Sequence, residues 1–532
     1  MLLLTGGNSV SYDEEWHFKK AGERTMIQIK CEGHAFEREL SLILALFYED
    51  PALAFVSSWE GDADMRIKLA LAVQEEGVVA SGELFAGNRQ LAHQVKRNYV
   101  SRDEKAMRKT AKQALCYALL LMLEEYTGIE QGWGILTGIR PTKLLHQLNV
   151  AGVGREEAHR KLQQDVILRP YKLKLLQAIV DKQLQVVPDL YQIDRELSVY
   201  IGIPFCPTKC AYCTFPAYAI RSHTASVNPF LEGLHYEIEK MGEWLTKNDQ
   251  RITSIYFGGG TPTSITAEDM NQLFETMHRS FPHMDGVREL TVEAGRPDTI
   301  TAEKLSVMKR WEVDRISINP QSFTQETLRA IGRHHTVEET IEKYHLAMEM
   351  GLTNINMDLI IGLPNEGVAE LVHSLEQVEK LMPASLTVHT LSFKRASEMT
   401  QNKERYKVAS RDEISRMMEM ASAWTAANGY DPYYLYRQKN ILGNLENVGY
   451  AKPGQESIYN IMIMEEVQTI LGLGCGAVSK LMAPGSGKLK RFPNPKDPKT
   501  YNDTYKTLVD NKLRDLDEIY AGATGREKEA HA

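Results

Sequence analysis

The residues best suited to chemistry lie in Ile203-Pro204-Phe205-Cys206-Pro207-Thr208-Lys209-Cys210-Ala211-Tyr212-Cys213-Thr214-Phe215, where three of the six cysteines fall within eight positions as Cys-x3-Cys-x2-Cys. Thiolates at this spacing can wrap three irons of a [4Fe-4S] cube and leave the fourth iron open to a substrate or cofactor. Zinc is the competing metal, but a structural zinc wants four protein ligands, usually as paired Cys-x2-Cys or Cys/His units. The sequence holds no second pair, and His223 stands at a spacing that fits no familiar zinc pattern. A third reading takes the thiols as small apolar core residues. Their clustering directly after the apolar run Leu197–Ile203, on what reads as a loop leaving a strand, speaks against it.

One crossover further on comes Gly258-Gly259-Gly260-Thr261-Pro262-Thr263. Glycines let backbone N–H and C=O groups come close to a ligand, although a lone triplet is only a turn. The cysteine loop, with Tyr212 before its third cysteine, followed by this triplet, resembles the radical S-adenosylmethionine (radical SAM) enzymes. In that superfamily SAM chelates the open iron through its amino and carboxylate groups.

With Glu293 ending a strand, Gln321 in Asn319-Pro320-Gln321-Ser322-Phe323, Arg333 in Ile331-Gly332-Arg333-His334 and the run Met357–Pro364, the chain resembles the oxygen-independent coproporphyrinogen III oxidase/dehydrogenase group. The likeness covers about Leu197–Leu481, and the long N-terminal extension resembles the extended bacterial branch of that group.

The resemblance implies that Cys206, Cys210 and Cys213 hold the cluster and that two SAM molecules can share the site. Tyr200, Gly259, Glu293 and Val478 would contact the first. Gly260, Thr261, Gln321, Arg333, Asp358 and Ser392 match the second set. The residue types suit the task, since carboxylates accept from ribose hydroxyls or an ammonium and arginine pairs with carboxylate in a fork. The implied activity is oxidative decarboxylation of coproporphyrinogen III propionates to vinyl groups, giving protoporphyrinogen IX in oxygen-independent haem biosynthesis. A tetrapyrrole substrate and an electron donor such as flavodoxin or ferredoxin would be its partners.

Two positions depart from that group: Gly202 replaces a histidine, and Phe215 replaces a fourth cysteine. Phe215 is the pattern of the related haem chaperones, which makes a haem- or tetrapyrrole-binding chaperone with a retained [4Fe-4S]/SAM core the alternative. Those chaperones carry His-Asn-x-x-Tyr-Trp where this chain has Tyr459-Asn460-Ile461-Met462-Ile463-Met464, without the His, Tyr and Trp.

The elements that must position these residues follow from periodicity. Strands are expected at 197–203, 252–257, 289–293, 315–318, 354–361 and 386–391, with amphipathic helices at 228–246, 266–280, 301–311, 336–350 and 366–382 between them. Strand and helix in six alternations predict a parallel sheet with right-handed crossovers. The fold class is therefore α/β, a partial (β/α)6 radical SAM barrel with an N-terminal α+β domain and a small, mainly helical C-terminal region. Active groups belong where the strands end.

Domains are expected at 1–190, at 191–400 for the core and at 401–532 for a region that completes the site and ends in a polar tail. Residues 522–532 are expected to be unstructured. In the first domain, Ser101 with Glu104 has capping-box spacing and opens a helix rich in basic residues, Arg102 to Lys112, read as a solvated face. Gly132–Lys143 leads into a helix at Pro141. Pro188-Asp189 reads as a linker.

At 532 residues and a net charge of −8, the chain is long enough for several cores and gives no general reason to expect nucleic acid. No apolar run reaches membrane-spanning length, and Met1–Gly7 lacks the features of a signal peptide. Scattered Cys31, Cys116 and Cys475 fit a reducing compartment, so the expected setting is cytoplasmic, with no membrane partner.

Overall fold

The computed structural model describes residues 24–48, 50–138, 140–393, 397–438, 441–485 and 488–530, so the Met1–Gly7 start lies outside the described residues. Its contacts divide the chain into two units, 1–137 with 162–169, and 138–161 with 170–532.

In the first unit, strands β1 (Met26–Glu32), β2 (Ala52–Phe55), β3 (Met65–Val73), β4 (Gly77–Ala86) and β5 (Arg89–Asn98) form one sheet in the order β2-β1-β3-β4-β5. Period-two alternation puts Val78, Ala80 and Leu84 of β4 into a core with Ile27, Ile29, Ile67, Leu69 and, from the helix Glu104–Thr127, Leu115, Leu119 and Met122. That helix starts later than expected. Asp103, not Ser101, is its cap, accepting from the Ala106 N–H at 2.9 Å, while the Ser101 hydroxyl donates to Asp103 at 2.7 Å. A carboxylate beats a hydroxyl at this place because it meets the helix dipole as well as the open N–H. Lys105 and Lys109 are exposed and Arg108 lies over the Phe36 ring at 4.7 Å, as a solvated face requires.

The second unit holds β6 (Leu197–Ile203), β7 (Phe205–Cys206), β8 (Tyr218–Ala219), β9 (Ile252–Gly259), β10 (Glu289–Glu293), β11 (Arg315–Ser317), β12 (Ile355–Ile361) and β13 (Ser385–Thr390). β14 (Asp431–Tyr436), β15 (Asn447–Ala451), β16 (Thr469–Gly474), β17 (Val478–Met482) and β18 (Leu489–Pro493) follow. The eleven-stranded sheet runs β14-β15-β13-β12-β11-β10-β9-β6-β16-β17-β18. Its middle is the expected six-strand series: β6, β9, β10, β11, β12 and β13 pair parallel in succession. β6 and β12 are buried at six of seven positions each, which is what helix-covered parallel strands require.

The five expected helices appear as Thr224–Lys247, Ala267–Ser280, Ala302–Arg310, Val337–Glu349 and Val368–Leu381. Among the described residues, no helix is long and apolar enough to cross a membrane.

Three features differ from the sequence reading. The contact boundary falls at 137 rather than near 190, because the helices Thr142–Val150 and Pro170–Val186 bind within the second unit: the Thr142 hydroxyl donates to Glu465 at 2.8 Å and Lys182 pairs with Asp431 at 2.9 Å. The segment after Val186 is no loose linker, since Val187, Leu190 and Ile193 are buried in one cluster with Tyr433 and Ile470. The region 401–532 is rich in helix, yet its strands extend both edges of the sheet.

The last helix runs Pro498–Ala530, through most of the 522–532 stretch expected to be unstructured. It is held by a fully buried ion pair, Lys512 to Glu237 at 2.6 Å, and Glu237 also accepts from the Gly474 N–H and the Tyr501 hydroxyl. Every oxygen of that buried carboxylate is therefore matched, the condition under which such a pair is tolerated.

Candidate active site

β6 delivers the cysteine loop and a two-strand ladder closes it, Phe205 opposite Tyr218 and Cys206 opposite Ala219. The loop between is pinned from outside. The Thr208 hydroxyl donates to the Gly332 carbonyl at 3.0 Å, the Ala211 N–H to Ile331 at 3.0 Å, and the Met399 N–H to Ala211 at 3.1 Å. Cys206, Cys210 and Cys213 all line one cavity of about 470 Å³.

The surroundings of the sulfurs suit an anionic cluster. The Thr261 hydroxyl stands 3.3 Å from Cys206 Sγ, Arg296 Nη1 donates to Cys210 Sγ at 3.8 Å, and the Arg333 guanidinium faces Cys210 and Tyr212. Such donors stabilise thiolates and tune what they bind. Among the described residues no group of three or more His, Cys, Asp or Glu side chains is gathered as for a single metal ion. Thiols spread around a cavity fit a cube, where each sulfur meets a different iron. Burial pushes the Cys206 thiol up to about 11, so loading a metal there must expel a proton.

Next to the loop, the glycine triplet is spliced onto the chain that carries the cysteines. The Gly260 N–H donates to the Ile203 carbonyl and the Thr261 N–H to the Phe205 carbonyl, both at 2.8 Å. Gly259 has φ +108°, and a Cβ on Gly260 would stand 2.6 Å from the Phe205 carbonyl oxygen, so only glycine allows this approach. With the N–H groups spent inside the protein, the triplet offers a ligand carbonyl oxygens, which suit an ammonium.

Glu293, at the end of β10, accepts from the Tyr256 hydroxyl at 2.5 Å. Burial, with the nearby charge of Asp358, pushes its carboxyl up to about 7. Tyr256 stacks on Tyr459 at 4.4 Å between ring centres, and Tyr200 stacks on Tyr256 at 6.1 Å, making an aromatic floor under this end.

The opposite wall comes from the ends of β11 to β14. Gln321 takes φ +67°, donates its N–H to Asp358 O at 2.9 Å, and has a buried side-chain oxygen without a partner. Arg333 joins this wall to the cysteine loop: it faces Cys210 while donating to the carbonyls of Asn319 at 2.7 Å and Gly295 at 3.2 Å, and its buried Nε has no hydrogen-bond acceptor. Asp358 accepts from Asn319 at 2.8 Å and Asn356 at 2.7 Å and faces His389 at 3.5 Å. Ser392 lines the cavity just beyond β13.

Eleven of the thirteen residues named from the sequence therefore wall one cavity: Cys206, Cys210, Cys213, Gly259, Gly260, Thr261, Glu293, Gln321, Arg333, Asp358 and Ser392. Tyr200 is not on the wall but supports Tyr256. Val478 is 39% exposed on β17, two strands beyond β6, and is not among the lining residues.

A Cβ on Gly202 would lie 3.2 Å from the Tyr200 ring and 3.3 Å from the Cys475 carbonyl, so a side chain here needs its neighbours to shift by a few tenths of an ångström. Phe215 is 60% exposed at the rim. In the helix Ile458–Glu465, Asn460 and Met464 reach the cavity while Tyr459 packs in the stack.

His389, Tyr436, Arg296 and Arg315 were not singled out beforehand, yet all line the cavity. A histidine two places before the end of an expected strand was a visible signal for the first. Tyr436 had none, because no strand was expected at 431–436.

Residues 200–378 match the Radical SAM superfamily. Over 503 residues the chain is 59% identical to the oxygen-independent coproporphyrinogen-III oxidase-like protein HemZ of Bacillus subtilis, spanning 94% of this chain and 99% of that one. It is 31% identical over 283 residues to the heme chaperone HemW of the same organism, across 53% of this chain and 70% of the chaperone. The solved coproporphyrinogen III oxidase HemN of Escherichia coli aligns at 21% identity and a TM-score of 0.49, covering 61% of this chain and 72% of that one.

Proposed function

The chain belongs to the radical SAM superfamily and, within it, to the coproporphyrinogen-III oxidase-like family, and on that premise we propose an oxidoreductase that decarboxylates the propionates of coproporphyrinogen III to vinyl groups. The observation that carries the reading is one cavity with three thiols, a glycine triplet and a buried carboxylate on one wall and a polar recess on the other.

A [4Fe-4S] cluster and SAM, when bound, supply a one-electron cleavage that makes a carbon radical able to take hydrogen from an unactivated C–H bond. Cys206, Cys210 and Cys213 would hold the cluster. The backbone of Gly259 and the carboxylate of Glu293 would receive the ammonium and ribose of one SAM, and Gly260 with Gln321 and Arg333, which have unpartnered polar atoms, would meet a second ligand.

For the substrate, loss of one hydrogen atom from the β-carbon of –CH2–CH2–COO⁻, then of CO2 and one electron, leaves –CH=CH2. The last electron passes to an external one-electron acceptor, and a flavodoxin or ferredoxin would deliver the first. The six cysteines are free thiols, which suits a cytoplasmic setting.

The second reading is a haem or tetrapyrrole carrier, favoured by the 31% identity to a heme chaperone. Against it stands Tyr459, at the position of the chaperone histidine, buried in an aromatic stack. Anaerobic reconstitution followed by assay with SAM, a reductant and coproporphyrinogen III separates the two. Protoporphyrinogen with methionine and 5′-deoxyadenosine is expected, whereas stoichiometric haem retention without turnover would overturn the enzyme reading.

A further inference from the structure

The wall opposite the cysteines carries three ionisable side chains in series. His389 Nε2 stands 3.5 Å from Asp358 Oδ2, and His389 Nδ1 stands 3.2 Å from the Tyr436 hydroxyl. All three line the cavity. Asp358 is met by Asn319, Asn356 and Thr387 as well as facing His389. Burial opposes its charge, but His389, Asn356 and Thr387 outweigh that and hold the carboxyl below its usual value.

An ionised Asp358 keeps an N–H on the Nε2 that faces it, which leaves Nδ1 to set the state of Tyr436. With a neutral ring, Nδ1 accepts the phenol proton. With a protonated ring, Nδ1 donates, and the Tyr436 oxygen then accepts from His389 while it also interacts with the side chain of Gln438. The phenol proton must then turn away, and the cavity that Tyr436 lines is the direction left. Tyr436 stays a phenol throughout, because burial and the charge of Asp358 push its ionisation far up.

We propose that Tyr436, switched by the Asp358–His389 pair, donates a hydrogen bond to a carboxylate of the bound substrate, at the end of the cavity away from the cysteines. The inference rests on the tetrapyrrole reading, whose substrate bears a carboxylate on each propionate. Tyr436 is the contact, and His389 and Asp358 position it. Around the pair lie Asp358 on β12, Tyr434 and Tyr436 on β14, and, acting on Asp358 from β9 and β10, Tyr256 and Glu293. A carboxylate bound at Tyr436 favours the protonated imidazole, so binding takes up a proton and tightens as pH falls.

The test is fluorescence titration of the anaerobically reconstituted full chain with coproporphyrin III, a tetracarboxylate that does not react, at about pH 6 and about pH 8. The wild type should bind about tenfold more tightly at the lower pH, the weight of one charge-assisted hydrogen bond. Tyr436→Phe and His389→Gln should each lose that gain while iron content and SAM binding stay at wild-type levels. Variants that keep the wild-type pH slope overturn the subsite and leave the tetrapyrrole reading standing.

If the wild type binds no coproporphyrin at either pH, the tetrapyrrole reading fails. Propionate then decides the subsite through its protection of His389 from diethyl pyrocarbonate, read by peptide mass spectrometry. Protection that disappears in Tyr436→Phe sustains the subsite, and no protection in the wild type overturns it.

Discussion

The two walls of the cavity are built by different means. The cysteine wall is made of loop sulfurs, backbone groups and one carboxylate, contributed at the ends of β6, β9 and β10, which are neighbours in the sheet and the first three strands of the barrel series. The far wall is made of long polar side chains, Gln321, Asp358, His389 and Tyr436, and its last member comes from β14, which is reached only through the antiparallel β15. A cofactor common to many reactions calls for backbone contacts that tolerate little variation. A substrate calls for side chains that differ from one chain to the next.

Breaking the first wall at its metal ligands should have the largest effect. Cys210→Ala is expected to abolish SAM cleavage and the charge-transfer absorption of the anaerobically purified protein, while coproporphyrin binding at the far wall persists. Loss of porphyrin binding in the same variant would mean that the two walls do not act separately.

Next in size is Lys512→Met, which strands Glu237 without its cation and should cost about 3–5 kcal/mol in denaturant unfolding. Glu237 holds the Gly474 N–H at the end of β16, and Lys512 also donates to the Gly472 carbonyl, so the loss falls on the strand beside β6. Hydrogen exchange should speed up there before it does at β12 or β13.

Glu293→Gln is expected to weaken SAM binding by about tenfold. The sign of its pH effect follows from burial, which raises the folded carboxyl to about 7. Below that value the group is protonated and cannot pair with an ammonium, so wild-type SAM affinity should rise as pH climbs through 7, and Glu293→Gln should flatten the curve. The same raised value means the folded state holds an extra proton between about 4.5 and about 7, so this carboxyl's contribution to stability falls as pH rises through that window. The far wall should respond in the opposite direction, with carboxylate binding tightening as pH falls. Isothermal titration of both ligands over one pH range checks the opposition, and parallel slopes would break the comparison.

The smallest effect is expected from Phe215→Cys. Phe215 is exposed at the rim and none of the contacts pinning the loop involve it, so iron content and SAM cleavage should stay within about twofold of wild type.

What could be read beforehand differs in the same way. The barrel strands were visible because buried parallel strands are continuous apolar runs, and the helices because their apolar positions recur with helical period; Thr266, Thr301 and Thr336, expected as first helical residues, are instead the caps. Ser101 and Asp103 both have capping chemistry, and which one meets the open N–H depends on where the chain turns in. The N–H groups of Gly260 and Thr261 looked available to a ligand and are instead tied to Ile203 and Phe205. No strand was foreseen after 391, although Tyr433-Tyr434-Leu435-Tyr436 has the aromatic composition of one.

The sequence alone determined the cysteine trio, the glycine triplet and the order of strands that brings them to one edge, because sulfur spacing, backbone freedom and periodicity are local properties. Tertiary structure alone decided that Asp358 meets His389 and that His389 meets Tyr436. The first encounter follows from the register of β12 on β13, which sets Ile360 opposite His389, and the second from β14 joining the sheet through β15; register and sheet order are set by packing among distant segments rather than by any one of them.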